Sequence, residues 1–131
     1  MGRAMDSVRI NREIAHAQQY FSYVNAHSWP DGRLYALCAL QSSLSQMVYT
    51  LSVTFPETYP NAMPEVFIRK PALPDAMPHR YKAGNICYLH PSMWNPGQHT
   101  LLFVLQRTAK WLSKYEVWSR TNNWPGAEIK H

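Results

Sequence analysis

The segment Tyr81-Lys82-Ala83-Gly84-Asn85-Ile86-Cys87-Tyr88-Leu89-His90-Pro91-Ser92-Met93-Trp94-Asn95-Pro96-Gly97 places a cysteine in a run with neither helical nor strand periodicity. It completes an aperiodic stretch that begins at Pro71 and also holds Pro74 and Pro78. Proline fixes φ and removes a backbone donor, and glycine opens turn conformations, so residues 71–97 are expected to form one long irregular loop. A loop of that length inside a compact domain is uncommon and usually functional. Cys87 lies within it, and Cys38 is the only other cysteine.

Outward from the loop the periodicity returns. After it, Thr100 can cap a helix whose apolar stripe is Leu101, Val104, Leu105, Thr108, Trp111, Leu112, Tyr115 and Trp118. Before it, Val66, Phe67 and Ile68 make a short strand ahead of Pro71. From Val48 to Phe55, Tyr49, Leu51, Val53 and Phe55 alternate with Thr50, Ser52 and Thr54, the pattern of a half-buried antiparallel strand. Leu34 to Leu40 is a nearly continuous apolar run, read as a buried strand, and Trp29-Pro30-Asp31-Gly32 is a turn. At the N-terminal end, Asp6-Ser7 can cap an amphipathic helix of about four turns carrying Ile10, Ile14, Ala17 and Phe21. Helix, a meander of about four strands, long loop, helix: the order predicts an α+β fold with helices on one face of an antiparallel sheet.

A chain of 131 residues is expected to form a single domain spanning residues 1–131. Its hydrophobic content of 46% is enough for a core, and ten prolines argue against a helical bundle. No run of about eighteen apolar residues occurs, so no membrane span is expected. The first residues lack the apolar stretch of a signal peptide, and Asp6 occupies the Ser/Thr position of a myristoylation signal. The expected location is the cytoplasm, where both cysteines would be reduced. The net charge of +5 is spread along the chain rather than gathered into the dense basic stripe that nucleic acid requires. Arg107, Lys110 and Lys114 share one helix face, either a solvated face or a patch for an acidic protein.

The residues at the joints carry a resemblance. Phe55-Pro56-x-x-Tyr59-Pro60-x-x-x-Pro64, Gly84-Asn85-Ile86-Cys87 and Trp94-Asn95-Pro96 resemble, in order and spacing, motifs of ubiquitin-conjugating enzymes over about residues 7 to 115. The resemblance implies a UBC-like fold and an acyl group carried as a thioester on Cys87. Where the family has His-Pro-Asn, with an Asn credited with steadying the oxyanion, this chain reads Pro78-His79-Arg80-Tyr81; counting back without a gap puts the Asn position on His79. The ending, with Trp118 and Trp124-Pro125-Gly126, resembles the bacterial branch found in antiphage operons of the cyclic-oligonucleotide (CBASS) type. That branch implies a protein acyl donor, either a ubiquitin-like protein or the C-terminus of a cGAS-like nucleotidyltransferase. It further implies amines of target proteins as acceptors, with or without an activating enzyme upstream. No cofactor is implied.

Thioester exchange needs a reachable thiol that reacts as thiolate and is not flanked by a hydrolytic machine. Cys87 is the expected nucleophile; the alternative, a small buried hydrophobe, fits less well among Asn85, Tyr88 and His90. Cys38, inside an apolar run, is expected in the core. His79 could donate to the oxyanion or simply cap backbone groups, and His90 could deprotonate an incoming amine. Asn85 is a turn residue first and an oxyanion donor second. A metal site from His79, Cys87, His90 and His99 would quench the thiolate and lacks a second close ligand pair, so none is expected. Two other functions compete: a Cys-His hydrolase, with Asp75 or Glu65 orienting the histidine, and a catalytically silent UBC-like domain that only binds partners. Inactive relatives typically lack the cysteine, which weighs against the second.

Overall fold

The computed structural model describes residues 6–126. Helix α1 (Ser7–Ala17) leads into strands β1 (Val24–Ser28), β2 (Leu34–Gln41), β3 (Val48–Thr54) and β4 (Glu65–Lys70). A short 3₁₀ turn (Pro91–Met93) and helix α2 (Leu101–Thr121) follow. The strands pair antiparallel in the order β1-β2-β3-β4, a simple meander. This is the UBC-like α+β architecture that the motifs imply.

Register explains the core. Cys38 lies opposite Val24 and Leu51, and Ala36 opposite Val53, so Val24, Ala36, Cys38, Leu40, Tyr49, Leu51, Val53 and Val66 share one face. That face is buried with Ile10, Ile14 and Ala17 of α1 and Leu101, Val104, Leu105, Trp111 and Leu112 of α2 in a single cluster. The other face of β3 is less open than its alternation suggests. Ser52 is buried, because Arg69 lies over Phe67 and donates from Nε to Ser52 Oγ at 2.8 Å.

The helix ends depart from the sequence expectation in two ways. Asp6 caps α1, accepting from Arg9 N at 3.1 Å, but the helix closes at Ala17 and Phe21 packs on the core from the turn beyond. Thr100 occupies the cap position of α2 yet makes no side-chain cap bond. The orphan N–H of Leu101 donates instead to Glu13 Oε1 of α1, at 2.8 Å. Glu13 also accepts from Arg9 Nε at 2.5 Å and from the Tyr59 hydroxyl at 2.5 Å. A buried carboxylate thus fastens α1, the turn after β3 and the start of α2 to one point.

A second buried carboxylate works at the far end of α2. Glu116 accepts from Ser42 Oγ, from Ser45 Oγ at 2.5 Å and from Tyr49 OH at 2.8 Å, holding the β2–β3 turn against the helix. Burial alone would raise its pKa, but the three hydroxyl donors and nearby Arg120 outweigh burial and hold it below 4.5. A depressed carboxylate pKa contributes stability that is present above the unfolded value and is lost as pH falls through the folded one. Glu116→Gln should therefore be less stable at neutral pH, by on the order of 1–3 kcal/mol. Its stability should also fall less steeply than wild type below about pH 4.5. Urea midpoints measured from pH 7 to pH 3 check both expectations.

Candidate active site

The region around Cys87 is not structureless. Ile86 pairs with Arg80 in an isolated antiparallel bridge, Tyr81 N donates to Asn85 O at 2.8 Å, and Cys87 N donates to His79 O at 2.9 Å. The turn closes through Gly84 N to Tyr81 O at 2.9 Å. Gly84 has φ +102° while a Cβ there would meet the Phe67 ring only at 3.9 Å, so the backbone conformation and not crowding requires glycine. Residues 79–87 therefore form a small hairpin. Ile86 N donates to Val66 O at 2.9 Å, which pins the hairpin to β4. The sequence hides it because its pairs are too short to show alternation.

Cys87 is 8% exposed, against 0% for Cys38. The expectation of an exposed thiol is thus corrected: the backbone ties at Ile86 and Cys87 draw it against the sheet. Burial pushes the Cys87 thiol pKa up, and a hydrogen bond from the Tyr81 side chain pulls against that rise. Cys38, fully buried on β2 without such a bond, is pushed up to about 12. Tyr81, Ile86 and Tyr88 also line a cavity of about 250 Å³ with Met63, Pro64 and Pro91. Its mostly apolar mouth is open to solvent beside the Cys87 hairpin.

His79 and His90 are both held by their surroundings. His79 has left-handed backbone, φ +58°, and its ring packs on Trp124 with centroids 4.6 Å apart. Its carbonyl accepts from Cys87 N and also from Trp111 Nε1 at 3.1 Å, so its backbone joins the hairpin to α2. His90 caps the 3₁₀ turn: Nδ1 accepts from Ser92 N at 3.2 Å and lies 2.7 Å from Ser92 Oγ. His99 is used in packing, stacked on Phe103 at 3.9 Å with Nδ1 accepting from Asn95 N. Among the described residues no group of three His, Cys, Asp or Glu side chains could hold a metal ion.

Three residues at the site were not singled out from sequence as parts of it. Trp111 appeared only as a stripe residue, and Tyr81 only as a departure from a motif. Arg107, read as part of a basic face, donates from Nε to Tyr88 O at 3.1 Å and so braces the residue after Cys87. The motif residues themselves meet in space: Trp94 Nε1 donates to Pro60 O at 2.7 Å, and Arg9 Nη2 donates to Pro96 O at 2.9 Å.

The meander, the two helices and a cysteine hairpin docked on β4 define the fold of ubiquitin-conjugating enzymes and their variants. Similar solved structures include human ubiquitin-conjugating enzyme E2 G1 (21% identity, TM-score 0.57, covering 82% of this chain and 93% of that one). The yeast Vps23 UEV domain with a Vps27 PSDP peptide is similar over 96% of this chain and 87% of that one, at 13% identity and a TM-score of 0.59. A Vps23 UEV in complex with ubiquitin matches at 16% identity and a TM-score of 0.57, covering 82% and 84%. The family described as "Type II CBASS E2 protein" matches residues 13–131, and the chain belongs to it. A search of curated proteins finds no match. Membership gives the protein an E2-like role in a bacterial antiviral conjugation system. Among the described residues no helix is long and apolar enough to cross a membrane.

Two measurements follow from this geometry. A maleimide titration of the native protein, with adducts mapped by mass spectrometry, should label Cys87 well before Cys38; the reverse order would reassign the reactive thiol. Trp124 packs on Trp111, at 5.4 Å, as well as on His79. Because it is only partly buried, Trp124→Ala should cost about 2 kcal/mol, less than truncation of a fully buried Trp. The same variant should speed Cys87 labelling, since the hairpin loses a wall. Denaturant midpoints and labelling rates read the two effects separately.

Proposed function

We propose that the protein is a cysteine-dependent acyltransferase that accepts the C-terminus of a donor protein on Cys87 and passes it to an amine. The observation that carries this reading is the setting of Cys87. It is the less buried of two thiols and sits on a braced hairpin whose Tyr81, Ile86 and neighbouring Tyr88 line an open apolar cavity. The Cys87 thiolate attacks the activated carbonyl of the donor, whose leaving group departs, and a thioester forms. An amine then attacks the thioester carbon; the C–N bond forms, the C–S bond breaks, the electron pair returns to sulfur and the amine's proton leaves to solvent. Near-complete burial keeps water from the ester until an acceptor arrives.

The donor fits one of two descriptions: a ubiquitin-like protein, or the C-terminus of a cGAS-like nucleotidyltransferase encoded beside a type II CBASS E2. Acceptors are amines on proteins of the bacterial cytoplasm. His79 and His90 contribute through position, the first through its carbonyl and the second by shaping the turn after Cys87. A second reading, a partner-binding domain without transfer chemistry, draws on the burial of Cys87 and on the Vps23 UEV domain, whose structures include complexes with ubiquitin and with a Vps27 peptide.

A gel of the protein incubated in lysate of its own cells distinguishes the readings. Transfer chemistry should give a heavier band that reductant removes, and Cys87→Ser should convert it to a reductant-resistant oxyester, because alkoxide is the poorer leaving group. Absence of any adduct would favour the binding domain. Turnover of small thioesters in water without an adduct would make the protein a hydrolase.

A further inference from the structure

We propose that the β2–β3 turn and the flank of α2 packed against it form a docking surface for an acidic, apolar segment of a partner protein. This surface is separate from the Cys87 site. The cysteine hairpin is pinned to Val66, which pairs with Val53. Val48, where the turn meets β3, lies five residues from Val53, about 17 Å at the rise of an antiparallel strand. An occupant there leaves the thiol free.

Single exposed apolar side chains are ordinary, but a cluster on a rigid support marks an interaction site. Leu44, Met47 and Val48 stand 53%, 48% and 55% exposed within five residues of chain. The turn beneath them is fixed. Ser42 Oγ accepts from the amides of Leu44 and Ser45, at 3.1 and 3.3 Å, and Ser45 Oγ accepts from that of Met47 at 3.2 Å. Ser42 N donates to Met47 O at 2.8 Å, and both hydroxyls donate to buried Glu116. Preorganisation of this kind lowers the entropic cost of binding. Between the turn and α2, Leu40, Ala109, Lys110 and Leu112 help line a cavity of about 230 Å³. A concave site of that kind takes a protruding apolar side chain rather than the flat surface of a bilayer.

Charge selects the partner. The sign changes along the sheet: Glu65 pairs with Thr54 at one end of β3, and Lys70 pairs with Thr50 near the other. Lys110 borders the cavity, and Arg120 stands one helical turn beyond Glu116. All three cations are exposed. Among the described residues the ion pairs are Arg9–Glu13 and Arg33–Asp31, so none of the three is paired. Glu116, the carboxylate at this end, already accepts from three hydroxyls. An apolar surface with an unneutralised positive rim fits a segment that mixes apolar and acidic residues. Symmetric pairing of two copies would set the same cations against themselves, so the fit is to a different protein.

The test titrates the intact, isotope-labelled protein with two peptides of about twelve residues, following amide NMR shifts. One peptide is built from leucine and glutamate; the other has every glutamate replaced by lysine. The acidic peptide should shift the amides of residues 41–48 and 109–113 and bind about tenfold tighter than the basic one. That preference should fade as salt rises toward about 1 M. Leu44→Ser combined with Met47→Ser should abolish the shifts, and Lys110→Glu should remove the preference for acid. Both variants should keep the wild-type urea midpoint and Cys87 labelling rate, because the substituted side chains are exposed. Equal binding of the two peptides, shifts gathered at the Cys87 hairpin instead, or shifts that survive the double substitution overturn the inference. So does an acidic peptide that moves no amide. Two further outcomes overturn it by pointing to another occupant. Broadening of the same amides with protein concentration alone indicates self-association, and a stronger response to phosphatidylglycerol vesicles than to the peptide indicates a membrane.

Discussion

Glu13 is the point on which the arrangement of this domain depends. Its carboxylate receives a guanidinium from its own helix, a phenol from the turn after β3 and the first free amide of α2. A buried carboxylate is tolerated only when its lone pairs are filled, and removing one partner of such a cluster typically costs about 3–5 kcal/mol. The cost of burying the charge is offset by geometry that nothing apolar could supply. Arg9 extends the cluster to the carbonyls of Pro96 and His99, and Tyr59 leads directly into Pro60, which accepts from Trp94. The Phe-Pro-x-x-Tyr-Pro and Trp-Asn-Pro motifs are thus two sides of one clasp. What the clasp encloses is the segment that holds Cys87.

Within that segment the chain reconciles two opposed demands. A thioester carrier, as proposed here, must shield its bond from water, and shielding raises the pKa of the thiol that makes the bond. The hairpin does the shielding through backbone ties to β4 and to His79, at positions where no side chain is needed. Side chains are left to brace the hairpin from α2, as Trp111 and Arg107 do. Cys38 shows burial with no such bracing: a thiol closed inside the sheet whose pKa is pushed up by desolvation.

Much of the fold was legible because burial in this domain follows simple periods. The stripe from Leu101 to Leu112 and the alternation from Tyr49 to Phe55 both appear on the faces that their spacing predicts. β1 was harder to see, because only Val24 of its five residues is buried and its exposed remainder has no apolar rhythm. Thr100 looked like a cap, but the bond went to a carboxylate 88 residues away, a choice that local spacing cannot reveal. At the site, the motifs singled out the cysteine loop, while the roles around it stayed hidden. His79 matched by counting, yet the fold ties its carbonyl to Cys87 N and Trp111 Nε1 and packs its ring on Trp124. Motif arithmetic measures distance along the chain, and hydrogen bonds form across it.

The meander has a consequence for how the molecule assembles. Every strand pairs with its neighbour in sequence, so the sheet can form from closures that are each short. The contacts that span the chain are those between α1 and the start of α2, and they include the Glu13 clasp. Loop-closure entropy places such contacts late. The docking of α2, through Trp111 Nε1 on the His79 carbonyl and Arg107 Nε on the Tyr88 carbonyl, is what braces the hairpin that keeps Cys87 buried.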